Sequence, residues 1–291
     1  QTITLCTAIT TEVYDRMIKE QDMNKNVFKK VFLAALACMM AFMLASCGSS
    51  SKEETYIAVT EPTYPPFEST NDDGKLVGFD IDLIKAIAKD QGFKVKMKTM
   101  SFDSLVPAVE AGNADLIIAG FNETPDRDKH VQFSDPYYDA GQYYMVMKNS
   151  AINSESDFTS STKVAVQMGT TTDDYVKELQ KEGKIGDVKD LNEYITCVLM
   201  LENGDVDAVA GDMPVLDEYM NKKADTYKLA GEISTAADED SLMKIAVGKD
   251  NDELLDKINA GLKDVMKDGT YDKLCKKWGI TGLDHEYRSF K

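Results

Sequence analysis

The chain has 291 residues, 43% of them hydrophobic and 29% charged, the balance of a folded globular protein of one large domain or two small ones. Its 50 acidic residues outnumber its 33 basic ones, and the net charge of −17 excludes the basic footprint of a nucleic-acid binder. Five cysteines exclude a disulfide-framework miniprotein and two histidines leave no His-rich metal site, so neither metal nor cofactor is expected.

The first feature in chain order is an export signal. Lys25, Lys29 and Lys30 precede an uncharged, mostly apolar run over 31–45, which leads into Leu44-Ala45-Ser46-Cys47. A positive stretch, an apolar stretch and a small-residue cleavage site make a secretory signal peptide. The apolar run falls short of the roughly 20 residues that a membrane-spanning helix needs. Met23 is therefore the expected start, with residues 1–22 as upstream translation and 23–46 as the signal peptide. Leu44-Ala45-Ser46-Cys47 resembles the lipobox of bacterial lipoproteins, which implies cleavage before Cys47 and a lipid on its sulfur. The small, polar residues that follow, Gly48-Ser49-Ser50-Ser51-Lys52-Glu53-Glu54, have the composition of a flexible tether (47–54 with the cysteine) reaching at most about 25 Å.

The body alternates strand and helix. Tyr56-Ile57-Ala58-Val59 reads as a strand, and the prolines of Thr60-Glu61-Pro62-Thr63-Tyr64-Pro65-Pro66-Phe67 read as a rigid loop after it. Ile84, Ile87 and Ala88 fall at helical spacing in 78–88, with Asp80 as the expected cap and Gly92 as the stop. Val95-Lys96-Met97-Lys98 is a half-buried strand, 102–111 a helix, and 115–120 a buried strand. The pattern restarts with a strand at 163–166, a helix after Gly169-Thr170-Thr171, a helix at 194–202 and a strand at 207–211. A helix beginning at Pro214, a strand at 244–247 and helices at 254–267 and 271–277 complete it. Two α/β units of similar size follow from this order. Cys197 and Cys275 lie far apart in helical patterns and are expected as two buried thiols.

At this point the chain resembles the extracytoplasmic solute-binding proteins of ABC transporters, in the polar amino-acid family. The resemblance covers nearly all of 55–280. It rests on the Pro-rich loop 60–67, Gly78-Phe79-Asp80-Ile81-Asp82, residues 115–120 through Thr124-Pro125-Asp126-Arg127, Phe133-Ser134-Asp135-Pro136-Tyr137-Tyr138, and Gly269-Thr270-Tyr271 with Lys276-Lys277-Trp278-Gly279. It implies an α/β, two-lobed, type 2 periplasmic-binding-protein fold, each lobe a mixed sheet flanked by helices. The first lobe would be 55–141 plus 246–291, the second 147–240, and the hinges 142–146 and 241–245.

The implied ligand carries an ammonium and a carboxylate, and closing a cleft over either one unpaired costs several kcal/mol. Arg127 suits the carboxylate, because guanidinium matches it with two parallel hydrogen bonds. It is one of only three arginines in the chain, and the family places its carboxylate-binding Arg at this position. Thr170 and Thr171, opening a helix whose free N–H groups favour an anion, are the family's second carboxylate contact. Asp212, at a buried strand end, is the implied partner of the ammonium, with Gly120 and Asn122. Relatives carry Ser or Thr where Asn122 stands. Tyr64 and Phe102 look like aromatic walls, and Phe67 reads as core. Glu61 would accept hydrogen bonds from a basic or amide side chain, and Gln142 would line the pocket from the hinge.

The function implied is capture of a polar amino acid, basic or amide, for delivery to an ABC-transporter permease, by a monomer lipid-anchored to the outer face of a bacterial membrane or periplasmic. The alternatives are an enzyme on the same fold, such as a dehydratase of a cyclic amino-acid precursor with Glu61 as its acid–base group, and a ligand sensor for a separate receptor.

Overall fold

Each lobe is built on a five-stranded mixed sheet, and the two sheets share one topology. The computed structural model describes residues 54–233 and 241–283. The expected segments 1–22 and 23–46, Cys47 with its tether up to residue 53, the end of the expected second lobe (234–240) and the tail 284–291 lie outside the described residues.

The strands of the first half are β1 (Thr55–Thr60), β2 (Thr63–Tyr64), β3 (Glu68–Thr70), β4 (Leu76–Val77), β5 (Lys94–Thr99), β6 (Leu116–Ile117) and β7 (Val131–Asp139). Those of the second half are β8 (Gln142–Met147), β9 (Lys163–Gln167), β10 (Asp187–Leu191), β11 (Ala208–Asp212), β12 (Tyr227–Glu232) and β13 (Leu242–Gly248). The first sheet runs β5-β1-β6-β13-β7 and the second β10-β9-β11-β8-β12. In each, three parallel strands are followed by an antiparallel one, β13 or β8, that arrives from the other half of the chain. The chain crosses at Ala140 and Gly141, between β7 and β8, and returns between β12 and β13. The expected hinge segment 142–146 lies inside β8, an inner strand paired on both sides, and 242–245 lies inside β13.

The helices are α1 (Phe79–Gln91), α2 (Leu105–Glu110), α3 (Thr171–Lys181), α4 (Tyr194–Asn203), α5 (Met213–Lys222), α6 (Asp252–Lys267) and α7 (Thr270–Trp278). In α1, Leu83, Ile84, Ile87 and Ala88 are buried, and Gly92 stops the helix in the left-handed conformation. Asp80 does not cap it. The helix begins one residue after Gly78, and Asp80 lies inside its first turn with its side chain turned inward. The expected helix 102–111 divides into a 3₁₀ turn at Phe102–Ser104 and α2. The strand expected over 115–120 pairs only at Leu116–Ile117, because the backbone turns away and reaches φ +56° at Gly120. The Pro-rich loop contributes β2 to a small antiparallel sheet with β3 and β4.

Phe67, Phe79, Tyr137 and Tyr271 are fully buried around α1 and β7; Phe67 and Tyr271 meet Phe79 edge to face, and Tyr137 stacks on it. Cys197 and Cys275 are both buried, as expected.

Candidate functional site

The carboxyl ends of parallel strands are where an open α/β sheet presents ligand-binding groups, because connections there diverge and leave a crevice. The expected site residues cluster at those ends. Glu61 follows β1, Phe102 follows β5 and Gly120 follows β6; Thr170 follows β9 and Asp212 closes β11. The first three belong to one sheet and the last two to the other.

Arg127 sits in the 3₁₀ turn Arg127–Lys129. Its Nη1 donates to the Asn122 carbonyl at 2.5 Å and its Nη2 to the Gly169 carbonyl, across the lobes, at 2.8 Å. Its guanidinium carbon lies 4.1 Å from the centre of the Phe121 ring and 5.4 Å from that of Phe102. Cation–π contact of this kind is worth most where water is excluded. Burial pushes the guanidinium down to about 10, which still leaves it charged at neutral pH.

Thr170 caps α3, accepting from the Asp173 N–H at 3.1 Å, while its hydroxyl donates to the Gln167 carbonyl at 2.8 Å. The Thr171 hydroxyl accepts from the Gln142 amide at 2.7 Å. Asp212 is buried, 4% exposed, at the start of α5. Its backbone N–H donates to the Tyr64 hydroxyl at 3.1 Å, another bond between the lobes. Desolvation pushes the Asp212 carboxyl up to about 7, against hydrogen bonds from Tyr64 and Gln142 that favour its charged form.

Glu61 is 2% exposed. Its Oε2 accepts from the Thr63 hydroxyl at 2.9 Å, from the Thr63 N–H at 3.3 Å and from the Gln167 amide, on the other lobe, at 3.0 Å. Burial raises its pKa, with those three donors opposing. Tyr64 stands edge-on to Tyr194 at 5.0 Å between ring centres. A Cβ on Gly120 would touch that tyrosine ring at 3.4 Å, and the positive φ there also favours glycine. The Gly120 N–H is taken by Asp80, which leaves its carbonyl as the group to meet a cation. Asn122 is buried, and its amide donates to the Leu242 carbonyl at 3.3 Å.

Hydrogen bonds, ring contacts and chain neighbours therefore gather the expected residues along the seam between both lobes. Phe102 packs on Phe121 and Arg127, while Tyr64 packs on Phe67 and Tyr194. Sequence reasoning missed Gln167, which ties Glu61 to Thr170, and Tyr194, whose N–H donates to the Thr63 hydroxyl across the lobes at 3.0 Å. Gln167 carried one signal, a polar residue ending the apolar strand Val164-Ala165-Val166 just before a helix cap. A cavity of about 480 Å³ opens along the same seam, lined by Pro62, Pro65, Ile195, Leu199 and Tyr219 among others, and none of the ten expected residues reaches it.

The arrangement offers a guanidinium with hydroxyls at one end, and a buried carboxyl with a backbone carbonyl at the other. It can neutralise a zwitterion held between the lobes. Among the described residues no cluster of side chains could hold a metal ion, and no helix is long and apolar enough to cross a membrane.

Residues 56–281 match the bacterial extracellular solute-binding proteins, family 3. The chain is 35% identical over 255 residues to the arginine-binding extracellular protein of Bacillus subtilis (strain 168), which spans 86% of this chain and 98% of that protein. The structure is similar to that of an ancestral arginine-binding protein bound to arginine, with a TM-score of 0.72 and 43% identity over 78% of this chain and 98% of that one. It is also similar to an ancestral arginine-binding protein bound to glutamine, with a TM-score of 0.71, 42% identity and the same coverage.

Proposed function

The chain belongs to the bacterial extracellular solute-binding proteins of family 3, and from that premise we infer that it binds a free amino acid between its lobes and presents it to an ABC transporter. Amino-acid binding for ABC transport is the activity of the family's relatives, which are binding proteins rather than enzymes. We propose further that the ligand is a basic or amide amino acid, arginine first. Relatives named for arginine support this, as does a similar structure with glutamine bound. The observation that carries it is Glu61. This carboxyl is 2% exposed, lies at the end of β1 and takes an N–H donor from the opposite lobe. A guanidinium, ammonium or amide on the ligand side chain supplies the same kind of donor.

In this reading Arg127, Thr170 and Thr171 hold the ligand carboxylate, and Asp212 with the Gly120 carbonyl and Asn122 holds its ammonium. Tyr64 and Phe102 flank the side chain, and Gln142 steadies Thr171 and Asp212. The ligand shifts the population toward the closed form because only that form brings both sets of groups to it. Lipidation of Cys47 would tether the protein, as a monomer, outside the cytoplasmic membrane within reach of the permease; the support is the Leu44-Ala45-Ser46-Cys47 motif.

A thermal-melt panel of the twenty amino acids plus ornithine and citrulline tests the assignment. A ligand at 100 times its Kd adds about 2.7 kcal/mol of stability. Arginine is expected to give the largest shift, and no shift with arginine, lysine, ornithine, histidine or glutamine would sink the proposed preference. Prolonged incubation with the ligand should leave it chemically unchanged.

A further inference from the structure

Two carboxyl groups that the cleft does not use directly lie behind it. Glu68 on β3 and Asp80 in the first turn of α1 are both completely buried. Gly78 makes their approach possible: at φ +150° it has no side chain, and a Cβ there would lie 2.7 Å from the Glu68 Cα. The helix therefore starts hard against β3, and the Asp80 N–H donates to the Phe67 carbonyl at 3.0 Å.

Asp80 Oδ2 accepts from the Gly120 N–H at 2.8 Å and from the Tyr137 hydroxyl at 2.7 Å. Asp80 Oδ1 has no such donor, and neither oxygen of Glu68 has one. With α1 packed against β3, each of the two carboxyl groups is close enough to act on the other's titration. The other ionisable groups that bear on Glu68 are Glu61, at the end of β1, and Asp212, at the end of β11; Tyr137 on β7 faces Asp80. All are acids or phenols. Two bare carboxylates sealed from water among such neighbours are not a stable arrangement. A single proton resolves it. It makes Glu68 a donor, gives the pair an internal hydrogen bond, and leaves one charge in place of two.

We propose that Glu68 and Asp80 share one proton at neutral pH, and that the resulting monoanion is the device that positions Gly120 and places a negative charge behind the ammonium end of the cleft. The second half of this proposal rests on the reading of the cleft given above; the first half does not. Glu68 is the proton holder, because burial pushes it well above the usual carboxylate range, whereas Asp80 is raised only to about 6. Both native values lie above those of the unfolded chain. From the ordinary carboxylate range up to the native value of Glu68, the fold therefore retains a proton that unfolding releases. Stability contributed by the pair is present at low pH and is lost as pH rises, at a rate of tenfold in the unfolding constant per pH unit per proton.

Urea unfolding of the full chain between pH 6 and 8 tests the proton, with Glu68→Gln as the comparison. The glutamine keeps the shape and donates from its amide, but carries no titrating proton. The native unfolding constant is expected to climb tenfold per pH unit more steeply than that of the variant, and parallel curves would overturn the shared proton. Should Glu68→Gln fail to fold, the infrared carbonyl band of a protonated carboxyl in the native chain at pH 7.5 decides: its presence supports the pair and its absence overturns it. Asp80→Asn tests the positioning half, since it keeps an acceptor for Gly120 and Tyr137 and removes the charge. Its affinity for L-arginine is expected to fall about tenfold at pH 7.5 with no loss of stability. Unchanged affinity, or affinity and stability lost together, would overturn the positioning role. If neither L-arginine nor L-glutamine binds the native chain, the cleft reading fails by itself, and the unfolding and infrared measurements still decide the proton.

Discussion

The hydroxyl of Tyr64, in the Pro-rich loop of the first lobe, accepts a hydrogen bond from the backbone N–H of Asp212, at the end of a parallel strand in the second, at 3.1 Å. The two residues are 148 apart in sequence. One bond thus joins the proposed aromatic wall to the acid proposed to face the ammonium, and it exists only while the lobes are together. Tyr64→Phe removes that bond, together with the hydroxyl's bond to the Asp212 carboxyl, and leaves the ring. A buried neutral hydrogen bond alone contributes about 1 kcal/mol, so ligand affinity should fall by about fivefold or more while the separate melting of the ligand-free chain changes little. Isothermal titration with arginine checks this, and an unchanged Kd removes the bond from the closed state.

As the proposed partner of the ligand ammonium, Asp212 should make binding depend on pH. Its carboxyl is pushed up to about 7 by desolvation. For the fold the sign is unfavourable: the native value lies above the unfolded one of about 3.9, so stability from this group is present at low pH and lost as pH rises from about 4 to 7. For the ligand the sign reverses. An ammonium beside Asp212 favours the ionised form, so affinity is full above pH 7 and falls below it, approaching tenfold per unit as the proton must first leave. Titration with glutamine, whose side chain does not ionise, is expected to show this fall between pH 7 and 5, with proton release on binding. Asp212→Asn should bind more weakly and lose the slope, and a slope that survives in Asp212→Asn would assign the titration to Glu61 instead.

How much of this was legible in the sequence follows from where each residue sits in its sheet. The inner strands β1, β9 and β11 read clearly, because they pair on both sides and their buried stretches, Ala58-Val59, Val164-Ala165-Val166 and Ala208-Val209-Ala210, are apolar. Of the large-sheet strands that were missed, β7, β10 and β12 are edge strands, while β8 is an inner strand that had been read as a hinge. Asp187-Val188-Lys189-Asp190-Leu191 is half-exposed throughout and pairs on one side only, so nothing requires an apolar run there. Pro136 on β7 sits beside a register shift against β13, where a missing N–H is tolerated. The candidate site residues could be named together because motif blocks locate strand ends, and the structure gathers those ends along one seam. Asp80 was misread as a helix cap, since an acid near a helix start usually serves that role. That its carboxylate turns inward toward Gly120 is a consequence of tertiary packing, invisible to local pattern. Gln167 was invisible for the same reason: its partner Glu61 is 106 residues away.

Arg127 can be tested by charge and by shape separately. It is half-buried, packed over Phe121, and bonded to backbone carbonyls of both lobes. Arg127→Ala removes the proposed cation for the ligand carboxylate and should cost about 3–5 kcal/mol of binding, taking micromolar affinity to millimolar or beyond. Arg127→Lys keeps the charge but loses the planar fork and the stacking, and should recover only part of that loss. Circular dichroism should show both variants folded, since the residue sits in a short surface turn. Full affinity in Arg127→Ala would move the carboxylate site elsewhere.

Gly78 offers a stability prediction independent of any ligand. Its φ of +150° is a conformation that side-chain-bearing residues avoid, and a Cβ there would stand 1.9 Å from the Phe67 carbonyl oxygen and 2.5 Å from its carbonyl carbon. Neither obstacle is a flexible side chain. Both belong to the backbone segment whose carbonyls, those of Pro66 and Phe67, accept from the first N–H groups of α1. Relief would require the helix to lift from β3, breaking those bonds and separating Asp80 from Gly120. Gly78→Ala should therefore destabilise by about 3 kcal/mol or more, a value otherwise typical of large core truncations. Urea unfolding measures it directly. Because the same movement displaces Gly120, arginine affinity should fall in proportion, whereas Gly74→Ala, at an exposed turn with nothing within 4 Å of the added Cβ, should cost far less and leave binding alone. Equal losses in the two variants would mean that backbone conformation alone, and not the close approach of α1 to β3, is what Gly78 provides.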